Sequence, residues 1–206
     1  LMKEKIKQIA LEMFMKYGLK SVSMDDIARA AGVSKKTIYQ HVTDKQTLVH
    51  ETLKDFLCAD QEFMSKELDR TDYDALEKMV VIAQKGFEML KRVRPTVTYD
   101  LQKYYPESWK LMQEHQIDFM QKKIFSNIQS GITQGVYRSN VNPNIISKVY
   151  VQNITSIVAD SESKFGAIDK ANVFIQQLVY HLYGIISYQH YTRLDSLTNK
   201  YKLTHN

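Results

Sequence analysis

The feature that most constrains this chain is the segment from Ser23 to Leu48, in which two short helical patterns meet at one glycine. Ser23 is a typical helix N-cap, and Asp25 follows it where the positive end of a helix starting near Met24 favours an acid. Gly32 ends that helix, because glycine adopts a left-handed backbone conformation at little steric cost. The segment therefore predicts a helix, a tight turn and a second helix that crosses the first closely.

The second helix is predicted over residues 35–42, with Ser34 as its cap. Ile38 and Val42 are four residues apart and form its inward edge. Lysine can bind phosphate or guanine, glutamine can bond an adenine edge, and threonine offers a hydroxyl or a methyl group. This outward face suits a groove of double-stranded DNA. Its side chains all carry charges or hydrogen-bonding groups: Lys35, Lys36, Thr37, Tyr39, Gln40 and His41.

A third helix is predicted to begin at Lys45, with Thr43 or Asp44 as its cap. The lysine ammonium and the amides of the helix start can bind one phosphate together. The alternative for the lysines is a solvated face, and for Tyr39 and His41 it is packing or surface hydrogen bonding. A glycine turn between two capped helices favours the DNA hypothesis. We therefore predict that these residues contact DNA: Ser23, Met24, Ser34, Lys35, Lys36, Thr37, Tyr39, Gln40, His41 and Lys45.

The segment resembles the DNA-binding domain of the TetR family of bacterial transcription regulators. Two positions depart from the commonest form of the family, with Lys36 where glycine is frequent and Val42 where phenylalanine is more usual. The first adds charge to the predicted DNA face, and the second is a conservative core change. The resemblance covers about the first 50 residues and is carried by Phe14, Tyr17, Gly18, Ser23, Ile27, Ala28, Ala31 to Ser34, Tyr39, His41, Lys45 and Leu48.

The resemblance implies an all-α fold with about nine helices and a homodimer. A three-helix helix-turn-helix domain is expected over residues 1–48, and a larger helical bundle for ligand binding and dimerisation over residues 49–206. The implied function is that of a repressor that binds a pseudo-palindromic operator and is released by a small-molecule effector. The effector would favour wrongly spaced reader helices, with a long helix near residues 48–63 carrying the change.

Composition and charge agree with a helical protein that binds nucleic acid. The 206 residues include only three prolines and seven glycines, which favours long helices. Residues 1–50 contain nine Lys and Arg against five Asp and Glu, whereas residues 51–206 contain nineteen against eighteen. Most of the net charge of +5 therefore lies with the predicted reader.

Other classes of protein are disfavoured by what the sequence lacks. One cysteine, Cys58, provides no internal disulfide and fits a reducing compartment. No apolar run reaches the roughly 18 residues that span a bilayer, and no signal peptide opens the chain, so we expect a cytoplasmic protein without a membrane partner. No phosphate loop, dinucleotide fingerprint, nucleophile motif or metal-spaced histidine pair is present. We therefore expect no enzyme activity, no cofactor and no metal.

Two helices predicted over residues 143–163 and 169–194 are apolar on more than one face, with Asn142 and Asp169 as their caps. In the family that the chain resembles, such helices pair with their copies in a second subunit. A two-fold dimer would place two reader helices about 34 to 36 Å apart, which is one turn of DNA. The alternative is a core formed within one chain. The predicted interface residues are Tyr150, Ile154, Ile157, Leu178, Leu182, Ile185 and Ile186.

Helices predicted over residues 73–91, 96–104 and 107–134 are rich in aromatic, methionine and histidine residues. Such side chains suit a small-molecule pocket between helices, although an ordinary core is the alternative for each of them. The sequence also leaves open a helical adaptor that binds proteins and has lost contact with DNA, but the lysine-rich second helix argues against it. The predicted effector contacts are Phe87, Tyr99, Tyr104, Tyr105, Trp109, Met112, His115 and Phe119.

Overall fold

The computed structural model describes residues 2–160 and 168–203, and these residues form an all-α fold, which confirms the expected fold class. A π-helical turn, His115–Met120, joins α7 to α8, and a 3-10 turn, Tyr188–His190, precedes α11. Tyr137 and Ile186 form an isolated antiparallel bridge. The α-helices of the described ranges are α1 (Met2–Tyr17), α2 (Met24–Ala31), α3 (Lys35–Tyr39), α4 (Lys45–Leu68), α5 (Ala75–Arg92), α6 (Pro95–Tyr104), α7 (Pro106–Glu114), α8 (Gln121–Thr133), α9 (Pro143–Ala159), α10 (Lys170–Ile185) and α11 (Tyr191–Lys200).

The described ranges contain more helices than the nine predicted because two predicted helices are divided. The helix predicted over residues 107–134 is interrupted by the π-helical turn. The helix predicted over residues 169–194 ends at Ile185, because the backbone there pairs with the segment after α8. The Arg138 N–H donates to the Ile185 carbonyl at 2.8 Å, and the Ser187 N–H donates to the Val136 carbonyl at 2.9 Å. α9 ends at Ala159, and its predicted end near residue 163 lies outside the described residues.

The chain divides into two compact units. Unit 1 contains the residues up to 60 and residues 92–114, and unit 2 contains residues 61–91 and those from 115 onwards. α4 therefore begins in unit 1 and ends in unit 2. This is a division by packing, whereas the predicted boundary between residues 48 and 49 separates two functions, and that boundary stays a prediction.

The core of unit 1 joins the first four helices to α6. The turn between α1 and α2 contains Gly18, which has a φ of +90°. A Cβ atom on Gly18 would lie 3.0 Å from Thr96 Oγ1, so α6 packs against this turn with little free space. The buried apolar residues of this core include Ile6, Ala10, Phe14, Ile27, Ile38, Val42, Leu48, Leu101 and Tyr105.

The core of unit 2 surrounds a buried tyrosine, Tyr137, which is 1% exposed. Its hydroxyl lies 3.0 Å from the Ala75 carbonyl oxygen and 3.1 Å from Asn127 Oδ1. The Asn127 amide also donates to the Ala75 carbonyl, at 3.0 Å. Gly131 makes room for the ring, since a Cβ atom there would overlap the Tyr137 side chain and lie 2.9 Å from Ala75 Cβ. This network links α5, α8 and the segment that follows α8.

Candidate DNA-binding surface

The first helix of the predicted pair, α2, is closed at both ends by local hydrogen bonds. Ser23 Oγ accepts from the Asp26 N–H at 3.1 Å, and Asp26 Oδ2 accepts from the Ser23 N–H at 3.0 Å. These reciprocal bonds form a capping box. Gly32 has a φ of +70°, and the Val33 N–H that follows it donates to the Ala28 carbonyl at 3.0 Å. The start, stop and turn predicted from the sequence are therefore present.

The second helix, α3, is shorter than predicted. Ser34 Oγ accepts from the Thr37 N–H at 3.1 Å and so caps the helix start. The α-helix ends at Tyr39, and the Val42 N–H still donates to the Ile38 carbonyl at 3.0 Å. Ile38 and Val42 are both buried, so the inward edge lies where the spacing placed it.

The outward side of α3 faces solvent. Lys35, Lys36, Tyr39 and Gln40 are exposed, while Thr37 and His41 are half-buried. The position of Met24 differs from that of the other predicted DNA contacts, because its side chain is 7% exposed and packs in the core of unit 1. Only its backbone N–H group, in the first turn of α2, remains for a contact with DNA.

Lys35 and Lys45, two lysines of the predicted DNA-binding site, differ in their electrostatic environment. Lys35 Nζ lies 2.8 Å from Asp25 Oδ2, and this hydrogen bond raises the pKa of the lysine. Lys45 is at the start of α4, where partial burial lowers its pKa against the opposing attraction of Asp100 and Asp26. Asp25 therefore stabilises the charged form of Lys35, whereas burial disfavours the charged form of Lys45.

The cap of α4 is Asp44, which settles the alternative between Thr43 and Asp44. Asp44 Oδ1 accepts from the Thr47 N–H at 2.7 Å. Hydrogen bonds from Thr47, first of all from its backbone, lower the pKa of Asp44, so the carboxylate keeps its charge at the positive end of α4.

Sequence reasoning missed that α6 and α7 belong to the same unit as the predicted DNA reader. The Arg94 N–H donates to the Met15 carbonyl at 3.1 Å, and Asp100 Oδ2 accepts from the Lys20 N–H at 2.8 Å. Leu101 and Tyr105 are buried in the core of unit 1. The spacing of four residues between these two apolar side chains predicts a buried helix face, but it does not predict which core that face joins.

The eight predicted effector contacts divide between the two units. Tyr99 and Tyr104 are exposed on α6 of unit 1. In unit 2, the His115 ring stacks on Phe119 with ring centroids 5.4 Å apart, and Phe87 packs against the core. The structure therefore does not gather the eight side chains in one core, and their role in binding an effector stays a prediction. The remaining three residues pack in the core of unit 1: Tyr105, Trp109 and Met112.

The predicted interface residues lie in the core of unit 2, and none of them is more than 6% exposed. Their apolar surface is covered by the chain itself, so they have little area left for a second subunit. The apolar side chains that do face solvent on α9 and α10 are Ile145, Val149 and Tyr180. The residues of the predicted interface are Tyr150, Ile154, Ile157, Leu178, Leu182, Ile185 and Ile186.

Two further features are absent from the described part of the chain. It contains no group of three or more His, Cys, Asp or Glu side chains that could hold a metal ion. None of its helices combines the length and the apolar character needed to cross a bilayer.

Known proteins resemble this chain at both the sequence and the structural level. Residues 8–52 match the model of the bacterial regulatory proteins of the tetR family. The HTH-type transcriptional repressor KstR2 of Mycolicibacterium smegmatis is 27% identical over 195 residues, which cover 91% of this chain and 92% of that protein.

Solved structures with low sequence identity share the fold. The reduced form of NemR from E. coli has a TM-score of 0.72 at 10% identity and covers 90% of this chain and 97% of its own. A gamma-butyrolactone receptor, described as an ArpA-like protein, has a TM-score of 0.62 at 14% identity and covers 98% and 96%.

The capped helix pair and its match to the family model define a helix-turn-helix DNA-binding domain. Over nearly its whole length the chain is similar to the repressor KstR2, and residues 8–52 match the domain that the tetR family of bacterial regulatory proteins shares.

Proposed function

We propose that this protein is a repressor that binds a pseudo-palindromic operator as a homodimer and is released by a small-molecule effector. The observation that supports DNA reading most directly is the exposed row of Lys36, Tyr39 and Gln40 on a short helix whose start is capped and whose inner side is buried. A helix held in this way can present its side chains to base edges without first ordering its backbone.

Each part of the surface has a separate task in this proposal. α3 enters the major groove, where Lys36 reaches guanine and Gln40 reaches adenine. The amide groups at the starts of α2 and α4 hold phosphates, and Lys45 adds a positive charge beside the second of these helix ends. The Asp25 partner of Lys35 is exposed, so a phosphate can replace it at little cost.

The homodimer follows from the same geometry of recognition. One reader helix contacts only a few base pairs, whereas two readers related by a two-fold axis contact both halves of a palindrome. We propose that α9 and α10 form the interface through their outer side chains, and that the seven buried residues of the predicted interface support these helices from within.

An effector is supported by the proteins that resemble this chain, since one of them is named a receptor for gamma-butyrolactone. We propose that a small apolar or aromatic molecule binds in the C-terminal part of the chain and stabilises a conformation that fits the operator poorly. α4 is suited to transmit the change, because one helix carries Lys45 at its start in unit 1 and continues into unit 2. The effector acts only to the extent that it binds one conformation more tightly.

The first experiment is fluorescence anisotropy of the full chain on labelled DNA from its own upstream region, beside a scrambled duplex, at two salt concentrations. If the upstream DNA is not bound specifically, a selection from random duplexes identifies the operator. We expect the double variant Lys36→Ala/Gln40→Ala to bind the operator about 100-fold more weakly, because both base contacts are lost in each protomer.

A matched control is Lys110→Ala/Gln113→Ala, which removes the same two residue types from the exposed side of α7. This variant should bind the operator like the unmodified protein. If the selection enriches no palindrome, the DNA proposal is wrong and the adaptor hypothesis replaces it.

The effector and the location of the protein have their own tests. A collection of apolar and aromatic metabolites is screened for compounds that release the operator, and a compound of this kind should lower operator affinity without unfolding the protein. We propose a cytoplasmic location, since the operator lies on the chromosome. We also propose that the protein regulates transcription without catalysing a reaction. Fractionation that finds the protein away from the cytoplasm would contradict the first of these points.

A further inference from the structure

Unit 1 carries a second cluster of basic and aromatic side chains outside the helix-turn-helix. We call it the lysine–tyrosine patch, and it consists of Lys20 in the α1–α2 turn and Tyr99, Lys103 and Tyr104 of α6. Lys20 Nζ donates to the Tyr104 hydroxyl at 3.2 Å, and Lys103 Nζ donates to the Tyr99 hydroxyl at 2.8 Å. The two rings meet edge to face with their centroids 6.5 Å apart. All four side chains are exposed, so this order is held at the surface.

The lysines of this patch differ from other lysines of unit 1 in their partners. Lys3 pairs with Glu51, Lys7 with Glu4 and Asp55, and Lys35 with Asp25, so these charges are neutralised by carboxylates. The hydrogen-bond acceptors of Lys20 and Lys103 are phenol hydroxyls and not carboxylates. Two lysine ammonium groups therefore lie on one surface without a carboxylate as their hydrogen-bond partner.

Cation–π contacts fix the positions of these charges. Lys20 Nζ lies 4.8 Å from the centre of the Tyr104 ring, and Lys103 Nζ lies 5.2 and 5.4 Å from the centres of the Tyr99 and Tyr104 rings. Aromatic faces attract cations without neutralising them. The patch is thus preorganised to receive an anion from solvent.

The patch lies beside the helix ends that are predicted to bind phosphates. Lys20 is three residues before Ser23, the cap of α2, and its N–H group donates to Asp100 at 2.8 Å. Asp100 also acts electrostatically on Lys45, at the start of α4. The Asp100 carboxyl is 6% exposed, so it does not present a negative charge on the surface between the two lysines.

We propose that the lysine–tyrosine patch binds the sugar–phosphate backbone of DNA next to the phosphates held by α2 and α4. Lys20 and Lys103 supply charge, and the tyrosine hydroxyls supply further hydrogen-bond donors to phosphate oxygens. This contact is independent of base sequence and lengthens the footprint of each protomer. The inference rests on the proposed function, because it adds a surface to the same DNA-binding unit.

The test compares the full chain with the double variant Lys20→Ala/Lys103→Ala. Binding is measured on a labelled random-sequence duplex of about 40 base pairs, roughly four helical turns, over a range of KCl concentrations. We expect the slope of log K against log salt to become shallower by about one for each lysine removed from a bound protomer. At low salt, affinity should fall about tenfold on random DNA and by the same factor on the selected operator.

Two further variants make the result specific. Lys54→Ala/Lys110→Ala removes the same charge from exposed positions of α4 and α7 in unit 1, and it should leave the slope unchanged. Lys20→Arg/Lys103→Arg keeps the charge and should retain the original slope. Circular dichroism and the thermal midpoint of each variant show that unit 1 is folded.

The possible outcomes separate this inference from the proposed function. If Lys20→Ala/Lys103→Ala binds with unchanged slope and affinity while Lys36→Ala/Gln40→Ala loses the operator, the inference is wrong and the proposed function stands. An equal loss in Lys54→Ala/Lys110→Ala would also overturn it, because net charge alone would then explain the effect. If the unmodified protein binds no duplex, the proposed function fails and the inference fails with it.

Discussion

The capped helix pair of unit 1 and the core of unit 2 are both helical, but they are stabilised by contacts between residues at different separations along the chain. In unit 1, the hydroxyl groups of Ser23 and Ser34 each bind a backbone N–H three residues later. In unit 2, the hydroxyl of Tyr137 binds the carbonyl of Ala75, which is 62 residues away. The reading surface is therefore specified locally, whereas the core of unit 2 depends on contacts that form only after the chain has collapsed.

The largest effect that tests this comparison is expected at Gly131. The change Gly131→Ala places a methyl group into the Tyr137 ring and against Ala75 Cβ, where both neighbours are buried. Overpacking of this kind typically costs about 1–3 kcal/mol, and we expect the upper end, about 3 kcal/mol, since an aromatic ring has no room to move. Urea denaturation at fixed protein concentration measures the loss.

Gly184→Ala is the matched control, because a Cβ atom at Gly184 meets no other atom within 4 Å. It should leave the free energy of unfolding unchanged or raise it by up to about 1 kcal/mol, since alanine favours helix over glycine. Equal losses for the two alanine variants would show that helix propensity, and not the fit around Tyr137, governs unit 2.

A second test uses pH and His181, which lies on α10. Burial lowers the pKa of His181 to about 4, and its Nε2 atom is buried without a hydrogen-bond partner among the described residues. Its ring lies 4.4 Å from the Tyr150 ring, measured between centroids. Because the unfolded chain binds a proton near pH 6.5 and the folded chain does so only near pH 4, stability is full above pH 6.5 and falls between these values.

The variant His181→Phe should remove this contribution while keeping a ring in the same space. We expect the unmodified protein to lose on the order of 2 kcal/mol more than the variant between pH 7 and pH 4, measured by urea denaturation. Identical pH profiles for the two proteins would mean that His181 takes up its proton in the fold as easily as in the unfolded chain.

The smallest expected effect tests the local side of the comparison. Ser23→Ala and Ser34→Ala each remove one cap bond, and each should lower the free energy of unfolding by about 1 kcal/mol. Both should also weaken operator binding, because the ends of α2 and α3 become less ordered. Thermal unfolding followed by circular dichroism measures the stability change.

Ser126→Ala serves as the comparison for the caps. The Ser126 hydroxyl donates to the Lys122 carbonyl within the exposed side of α8, where it caps no helix end. Its loss should change stability by less than about 0.5 kcal/mol. If Ser23→Ala and Ser34→Ala lower the free energy of unfolding as little as Ser126→Ala does, then tertiary packing, and not local hydrogen bonding, stabilises the reader helices.

Helix ends that depend on neighbouring residues can be predicted from the sequence, whereas helix ends that depend on distant backbone cannot. Ser23, Gly32 and Ser34 fix the helix ends, because each acts on the backbone within a few residues. The chain turns away from helix at Ile186 for a reason that lies elsewhere, in the backbone of residues 136–138. No proline lies near that turn, and Ser187 is the N-cap only of the short 3-10 turn that follows it.

The predicted effector and interface residues show what periodicity does not determine. The apolar spacing on α6 correctly indicates a buried face, but Leu101 and Tyr105 join the core of unit 1. Leu178 and Leu182 on α10 likewise fill the core of their own chain. An apolar stripe predicts that one face of a helix is buried, but it does not predict which residues pack against that face.

Local signals in the sequence are sufficient for the all-α class, the capped helix pair and the resemblance to the TetR family, because caps, glycine turns and the reader residues act within a few positions of one another. Long-range packing fixes which segments share a core with the reader, brings Asp100 to the α1–α2 turn, and places Lys20 and Lys103 together on one surface. The physical reason is that hydrophobic burial is not directional, so partners distant in sequence are chosen by shape and space once the whole chain has folded.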